Sequence, residues 1–399
     1  MSIDSRVPEI RFKGFSEEWE NLTLGDLGSV AMNKRIFKHQ TTITGDVPFF
    51  KIGTFGKQPD AFINKALFDE YKAKYPYPVA GDLLLSASGS IGRVVEYKGE
   101  DQYFQDSNIV WLKHDGKIDN AFLKVFYSMV KWGGLEGSTI KRLYNKNILD
   151  TEISTPERQE QNVIGNYFQK LDSLINQHQQ KHDKLSNIKK AILEKMFPKQ
   201  GETIPEIRFK GFSGGWEEKN VDQLGEIITG STPSTQNSNN YSNDGIPWVT
   251  PTDISRNVTF NTAKKLSQTG CKVARIVPKD TILVTCIASI GKNTILGTQG
   301  SFNQQINGVV PNEKENDPYF LFSASILWSE KLKRSAASGT MQIVNKTEFS
   351  ELKTRVPKKE EQTAIGNYFQ KLDALINQHQ QQIAKLNNIK QACLSKMFI

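Results

Sequence analysis

Thirteen residues near the start of the chain, PEIRFKGFSEEWE at 8–20, return almost unchanged as PEIRFKGFSGGWE at 205–217. A longer stretch is copied as well: residues 160–197 and 361–398 are identical at 28 of 38 positions, aligned without gaps. Repetition at this distance constrains the fold more than composition does, because each copy must build the same local structure. The order is short motif, variable region, long segment, and then the same three parts again. At 399 residues the chain is too long for one ordinary core and suits two domains with connecting elements.

The long segments read as helices. Apolar residues at Ile164, Tyr167, Leu171 and Leu174, then Leu185, Ile188 and Ile192, are spaced as in a coiled-coil seam. The second copy repeats the spacing at Ile365, Tyr368, Leu372, Leu375, Leu386, Ile389 and Cys393. Pro156 and Pro357 are expected in the first helical turns. About 40 helical residues at ~1.5 Å each would extend roughly 60 Å, and such a helix needs a partner, most simply its own copy. Polar residues interrupt both seams at mid-length, His178 and Lys181 in one and His379 and Gln382 in the other. An antiparallel pair would bring these midpoints into one layer and so fix the register.

The variable regions differ in kind. Short strand-like runs such as VPFFKIG, GDLLLS and NIVWL in the first, and IPWVT, DTILVT and INGVV in the second, precede apolar helical runs opened by Asp119 and Asp317. Three landmarks align the two: Asp82 with Asp280, GSIG at 89–92 with ASIG at 288–291, and the Asn-Lys pairs at 145–146 and 345–346. The expected class is α+β, two mixed domains joined by two long helices in an antiparallel coiled coil with pseudo-two-fold repetition. The divisions fall at 1–155, 156–198, 199–355 and 356–399.

The formal net charge of +8 favours a polyanionic partner. Three cysteines with no metal-ligand spacing fit a reducing compartment. No apolar run reaches the ~20 residues of a membrane span, and the first residues lack a signal-peptide pattern. The cytoplasm is the expected location.

Two variable regions, each followed by a near-duplicate helix, resemble the specificity subunit of a type I restriction–modification enzyme. The PEIRFKGF…W opening, the GDLLLSASGSIG run and the ERQEQNVIGNYFQKLDSLI helix start carry the resemblance, and it covers essentially the whole chain. It implies two target-recognition domains that read the halves of a bipartite DNA site. Unequal domains would allow that site to be asymmetric. It also implies that two methyltransferase subunits dock on equivalent surfaces, with restriction subunits added through them. Phe12, Phe15 and Trp19, with Phe209, Phe212 and Trp216, are candidates for those surfaces or for packing beneath the adjacent domain. No cofactor is expected in this chain: S-adenosylmethionine would belong to the methyltransferase, ATP and Mg to the restriction partner.

Catalytic look-alikes are weak. NDPYF at 316–320 lacks the second proline of an adenine methyltransferase tetrad and suits a helix cap, with Asp317 capping and Pro318 in the first turn. Asp60 followed by Glu70 and Lys72 imitates a metal-dependent nuclease but is expected to be solvated surface. The remaining alternatives are a coiled-coil assembly protein without DNA function and a stand-alone Mg-dependent nuclease.

For DNA reading, basic side chains would neutralise phosphates, while amides and arginines would read base edges. The first region offers Lys34, Arg35 and Lys38, then Arg93, then Gln105 and Asn108, and finally Lys141, Arg142 and Tyr144 from the run at 138–146. The second offers Ser231, Thr232 and Ser234, Thr250 and Lys292, and the amide-rich Asn303, Gln304 and Gln305.

Overall fold

The computed structural model describes residues 7–134, 141–337 and 343–399. The chain divides into two compact units, Met1–Gln177 with Gln382–Ile399 and His178–Gln381. Each unit therefore takes the first half of one long helix and the second half of the other.

Unit 1 is built on a four-stranded antiparallel sheet in the order Ser29–Ala31, Ile109–Lys113, Leu83–Ser86, Val94–Glu96. Every residue of the Leu83–Ser86 strand is buried, which is why three leucines follow one another rather than alternating with polar residues. A smaller sheet pairs Val47–Phe50 with Phe62–Ile63 and, in parallel, with Tyr103–Phe104. Unit 2 repeats the plan with a five-stranded sheet, ordered Gly225–Thr229, Ile306–Pro311, Ile282–Thr285, Asn293–Leu296, Val258–Thr259. Its smaller sheet pairs Tyr241–Val249 with Lys265–Leu266 and Ser301–Phe302. One helix packs on each main sheet, Asn120–Met129 in unit 1 and Pro318–Ala337 in unit 2. Asp119 caps the first by accepting the Phe122 N–H at 2.9 Å, and Asp317 caps the second through Phe320 at 2.8 Å, as expected.

Two landmarks are one residue out. Gly81 N–H donates to Tyr97 and Asp280 N–H to Leu296, so Asp280 matches Gly81, not Asp82. Both stand at positive φ, 97° and 66°. The Asn-Lys pairs slip likewise: Asn345 is a cap, whereas Tyr144 holds the matching place and Asn145 is already helical.

The long helices span Arg158–Met196 and Lys359–Met397. Pro156 and Pro357 lie just before them rather than in the first turn, and their carbonyls accept the side-chain amides of Gln161 and Gln362 at 2.9 and 3.0 Å. The buried and half-buried positions include Ile164, Tyr167, Phe168, Leu171, Ile175, His178 and His182, and in the copy Ile365, Tyr368, Phe369, Leu372, Ile376, His379 and Ile383. The seam uses Ile175 where the spacing favoured Leu174, and adds buried Phe168 beside half-buried Tyr167, which faces Cys393 of the other helix. Leu174 and Leu375 are 43% and 46% exposed, outside the seam, and Lys181 is exposed beside it. Leu171 and Leu372 are buried, and Leu185, Ile188, Leu386 and Ile389 are half-buried.

The helix segments run antiparallel within each unit. In unit 1 the Tyr167 hydroxyl lies 3.7 Å from the Cys393 sulfur and Asp172 2.6 Å from Lys390. In unit 2 Asp373 lies 2.6 Å from Lys189, and the Nδ1 atoms of His178 and His379 are 2.9 Å apart. The two mid-seam histidines do share a layer. Gly165 and Gly366 let these helices approach the sheet-packed ones: a Cβ at Gly165 would sit 2.6 Å from that of Ala121.

The short motif is a buckle. Arg11 makes paired hydrogen bonds to Glu160 at 2.7 and 2.6 Å, and Arg208 repeats them with Glu361. Both pairs are nearly dry, with side-chain exposures of 10% and 0%, then 14% and 3%. Hydrogen bonding to Glu160 holds the Arg11 guanidinium above its ordinary pKa. Trp19 is buried edge-on to Phe122 and Phe398, and Trp216 edge-on to Phe197 and Phe320. Phe12 and Phe209 pack edge-on to Tyr167 and Tyr368, while Phe15 and Phe212 are half-buried. The two tryptophans are buried in the core, so of the two roles open to them packing beneath the adjacent domain holds and a docking surface does not.

Candidate nucleic-acid interface

Each main sheet carries the same turn at the end of its central strand. Ser86 Oγ donates to the Ser90 carbonyl and accepts the Arg93 N–H at 2.9 Å; Thr285 Oγ1 does the same with Ser289 and Lys292. Gly89 enters the turn at φ 65°, and its match Ala288 takes φ 60°, a strained place for a residue with a Cβ. The side chains leaving the turn have internal work. Arg93 donates to the Phe55 carbonyl at 2.8 Å, and Lys292 to the Pro251 carbonyl at 3.0 Å.

A polar loop lies beside each turn. In unit 1 the Ala87 N–H donates to the Asn108 carbonyl, and in unit 2 Cys286 donates to that of Gln305. The amide-rich stretches of the two regions are therefore structural equivalents, as their positions suggested. Their side chains are arranged differently. Asn108 Oδ1 accepts from Ser88 at 2.7 Å and from the Arg142 guanidinium at 3.0 Å. Gln105 turns inward to accept the Ile52 N–H at 3.0 Å, and Asp106 pairs with Arg35 at 2.9 Å. In unit 2 the Asn303 and Gln305 side chains bond at 3.0 Å, while exposed Gln304 meets the Thr232 hydroxyl. Ser231 Oγ accepts the Arg275 N–H at 2.9 Å, and its carbonyl accepts from Trp248 at 3.0 Å.

Asn108, Arg142, Arg35 and Gln105 are thus gathered around one loop, and Ser231, Thr232, Asn303, Gln304 and Gln305 around the other. Lys38, Ser234 and Thr250 make contacts within their own loops instead, and Lys34 reaches a neighbouring helix end. Lys34 lies 5.0 Å above the Tyr75 ring, the Lys38 carbonyl accepts from Thr41, that of Ser234 from Asn240, and Thr250 donates to Asp253. Lys141 and Tyr144 are exposed; residues 138–140 lie outside the described residues. Arg275, Asp106 and Ser88 belong to these clusters although the sequence reading passed over them. A basic residue in a turn-like stretch was the available signal for Arg275. Only folding brings Ser88 to Asn108.

The catalytic look-alikes are absorbed by packing. Asp60 pairs with Lys51 at 2.8 Å and Glu70 with Lys74 at 2.9 Å, so each carboxylate has its own lysine. In NDPYF, Asp317 caps its helix and the Tyr319 hydroxyl donates to Asp373 at 2.8 Å. Burial pushes the Cys286 thiol up to about 11, far from a reactive thiolate. Among the described residues no helix is long and apolar enough to cross a membrane.

Comparison with known proteins gives the class. The family model described as "Type I restriction modification DNA specificity domain" matches twice, at residues 16–187 and 213–388. The chain belongs to this family. It is 54% identical over 156 residues to a putative type I restriction enzyme specificity subunit, S.HindORF215P, of Haemophilus influenzae, covering 39% of this chain and 40% of that protein. It is 23% identical over 380 residues to the putative MjaX specificity subunit of Methanocaldococcus jannaschii, covering 90% and 88%. The chain thus spans about two-fifths of the first relative and most of the second. Among solved structures, the type I restriction–modification S subunit from M. genitalium superposes with a TM-score of 0.66 at 16% identity, covering 98% of this chain and 99% of that one. That likeness concerns the fold.

Proposed function

We propose that this chain is the DNA-reading subunit of a type I restriction–modification complex, each head reading one half of an asymmetric bipartite site. One observation carries the reading: matched positions beside matched turns bear different side chains, Asn108 and Arg142 in one head standing where Gln305 and Ile343 stand in the other. A shared frame with unshared contact groups suits two related readers with different targets. The net charge of +8 adds phosphate attraction. The two long helices would set the spacer between half-sites and, with the exposed Leu174 and Leu375, dock two methyltransferase subunits, which in turn carry the restriction subunits. The chain itself performs no catalysis in this scheme and works in the cytoplasm. S-adenosylmethionine serves the methyltransferase partner, ATP and Mg the restriction partner.

Methylome sequencing of cells with and without this gene tests the proposal. The expected result is one interrupted, non-palindromic methylated motif that vanishes with the gene. An unchanged methylome, with the methyltransferase partner present, would reject it in favour of an assembly role.

A further inference from the structure

The repeats differ at one corner in a way that DNA reading does not use. Two residues past its cap, the sheet-packed helix of unit 2 carries Tyr319, and five past, Phe322. Their rings pack edge-on, 5.4 Å apart, and the Tyr319 hydroxyl donates to Asp373 Oδ2 at 2.8 Å. Lys189 lies 2.6 Å from the other oxygen, and the Asp373 side chain is only 4% exposed. At the matching places unit 1 has Ala121 and Lys124. Its long-helix residues are unchanged in type: Asp172 matches Asp373, and Lys390, 2.6 Å from Asp172 Oδ1, matches Lys189.

Two rings are therefore missing while their hydrogen-bond acceptor remains. In their place is a cleft of about 530 Å³, lined by Ala121, Lys124, Phe168, Asp172 and Lys390. That volume is within the usual range for small-molecule sites, roughly 300–1,000 Å³. Lys124 is drawn aside by Glu96 at 2.9 Å and does not pair with Asp172. Among the described residues no hydrogen bond reaches Asp172 Oδ2, the oxygen that in unit 2 accepts the phenol. The Asp172 side chain is 52% exposed.

We infer that this cleft of unit 1 is a binding site for a para-substituted phenol, seated as the Tyr319 side chain is seated in unit 2. The ring lies over Phe168 between Ala121 and Lys124, and its hydroxyl donates to Asp172. The site borders the 86–93 turn through Gly92 but contains none of the side chains assigned to DNA.

The test uses p-cresol, the tyrosine side chain as a free molecule, titrated into the full chain and followed by ligand-observed NMR and thermal unfolding. Saturable binding is expected, at least fivefold tighter than that of toluene. Ala121→Tyr should abolish it, because the new ring occupies the place itself. Asp172→Ala, a change at a half-exposed position, should erase the preference over toluene while the fold survives. Absence of saturable binding to the wild-type chain overturns the inference, as does binding undiminished in Ala121→Tyr or a preference that outlives Asp172→Ala. A parallel titration with N-acetyl-L-tyrosinamide separates the sources. Binding of both probes supports a tyrosine presented by a polypeptide; binding of p-cresol alone supports a free phenol.

Discussion

In unit 1 the carboxylate of Asp172 stands half in solvent beside Lys390; in unit 2 the same residue, copied as Asp373, is dry beneath Tyr319 with Lys189 alongside. The residues that differ are not in the copied helices at all. They lie in the variable domains, where alanine replaces tyrosine and lysine replaces phenylalanine. A duplicated scaffold can therefore place one ion pair in two dielectric settings, depending on what the neighbouring head lays over it. The Arg11–Glu160 and Arg208–Glu361 buckles show the opposite case, in which both partners belong to copied sequence and the ion pairs match in distance and burial, although Arg208 also donates to the Ser213 and Gly214 carbonyls.

The largest expected effect probes that likeness. Arg11→Ala and Arg208→Ala each leave a buried carboxylate unpaired, and each should cost about 3–5 kcal/mol in denaturant unfolding. Replacing both partners of one buckle by apolar residues of similar size should recover most of the loss. If the two single variants differ by more than a third, the buckles are not equivalent.

The contrasting pair comes next. Lys189→Ala strands the buried Asp373 and is expected to cost roughly 3 kcal/mol. Lys390→Ala, at a solvated pair, should cost no more than about 1 kcal/mol. Equal losses would contradict the difference in burial.

Smaller and more selective effects belong to the loops. Gln304→Ala should relax base preference in one half-site by about 1–3 kcal/mol, and Asn108→Ala in the other, as read by binding to substituted duplexes. Equal losses on cognate and random DNA would remove these residues from base reading. Lys141→Ala should leave preference intact and lower the slope of log affinity against log salt by about 1.

The smallest effect lies at the shared histidine layer. Burial, then the neighbouring His178, Lys181 and His182, hold His379 below its ordinary pKa, with Asp183 engaged by His182 at 3.0 Å. A depressed base binds its proton later in the folded state than in the unfolded one. Stability should thus be unaffected above the ordinary histidine value, about 6.5, and fall as pH drops below it. His379→Asn should remove that part of the slope, measured as the difference between the two chains' unfolding midpoints.

Much of this was legible before any coordinates. The duplicated segments, the capping aspartates and the strand runs follow from local chemistry, and local chemistry is what a sequence displays. The seam departs from the spacing at Leu174 because Ile175 is an adjacent aliphatic, while Phe168 joins Tyr167 in it as a second ring. Spacing alone cannot say which of two neighbours faces inward. The landmark at Asp280 slipped because identity of letter outweighed identity of backbone, and it is Gly81 that shares its left-handed conformation. Arg11 and Glu160 are 149 positions apart, and nothing near either one announces the pairing. The loop residues were found as a class, but their partners were not, since Gln105 turns inward while Gln304 stays exposed.

Unit 1 is finished by Met397 and Phe398, which close over Trp19 and Phe122 from the far end of the second long helix. On a ribosome those side chains emerge only after the whole of the second head. The first head must therefore wait with part of its aromatic core uncovered, and contacts this distant in sequence form slowly. The protein's most exposed period is its own synthesis, when a chaperone holding the early half would do the most good.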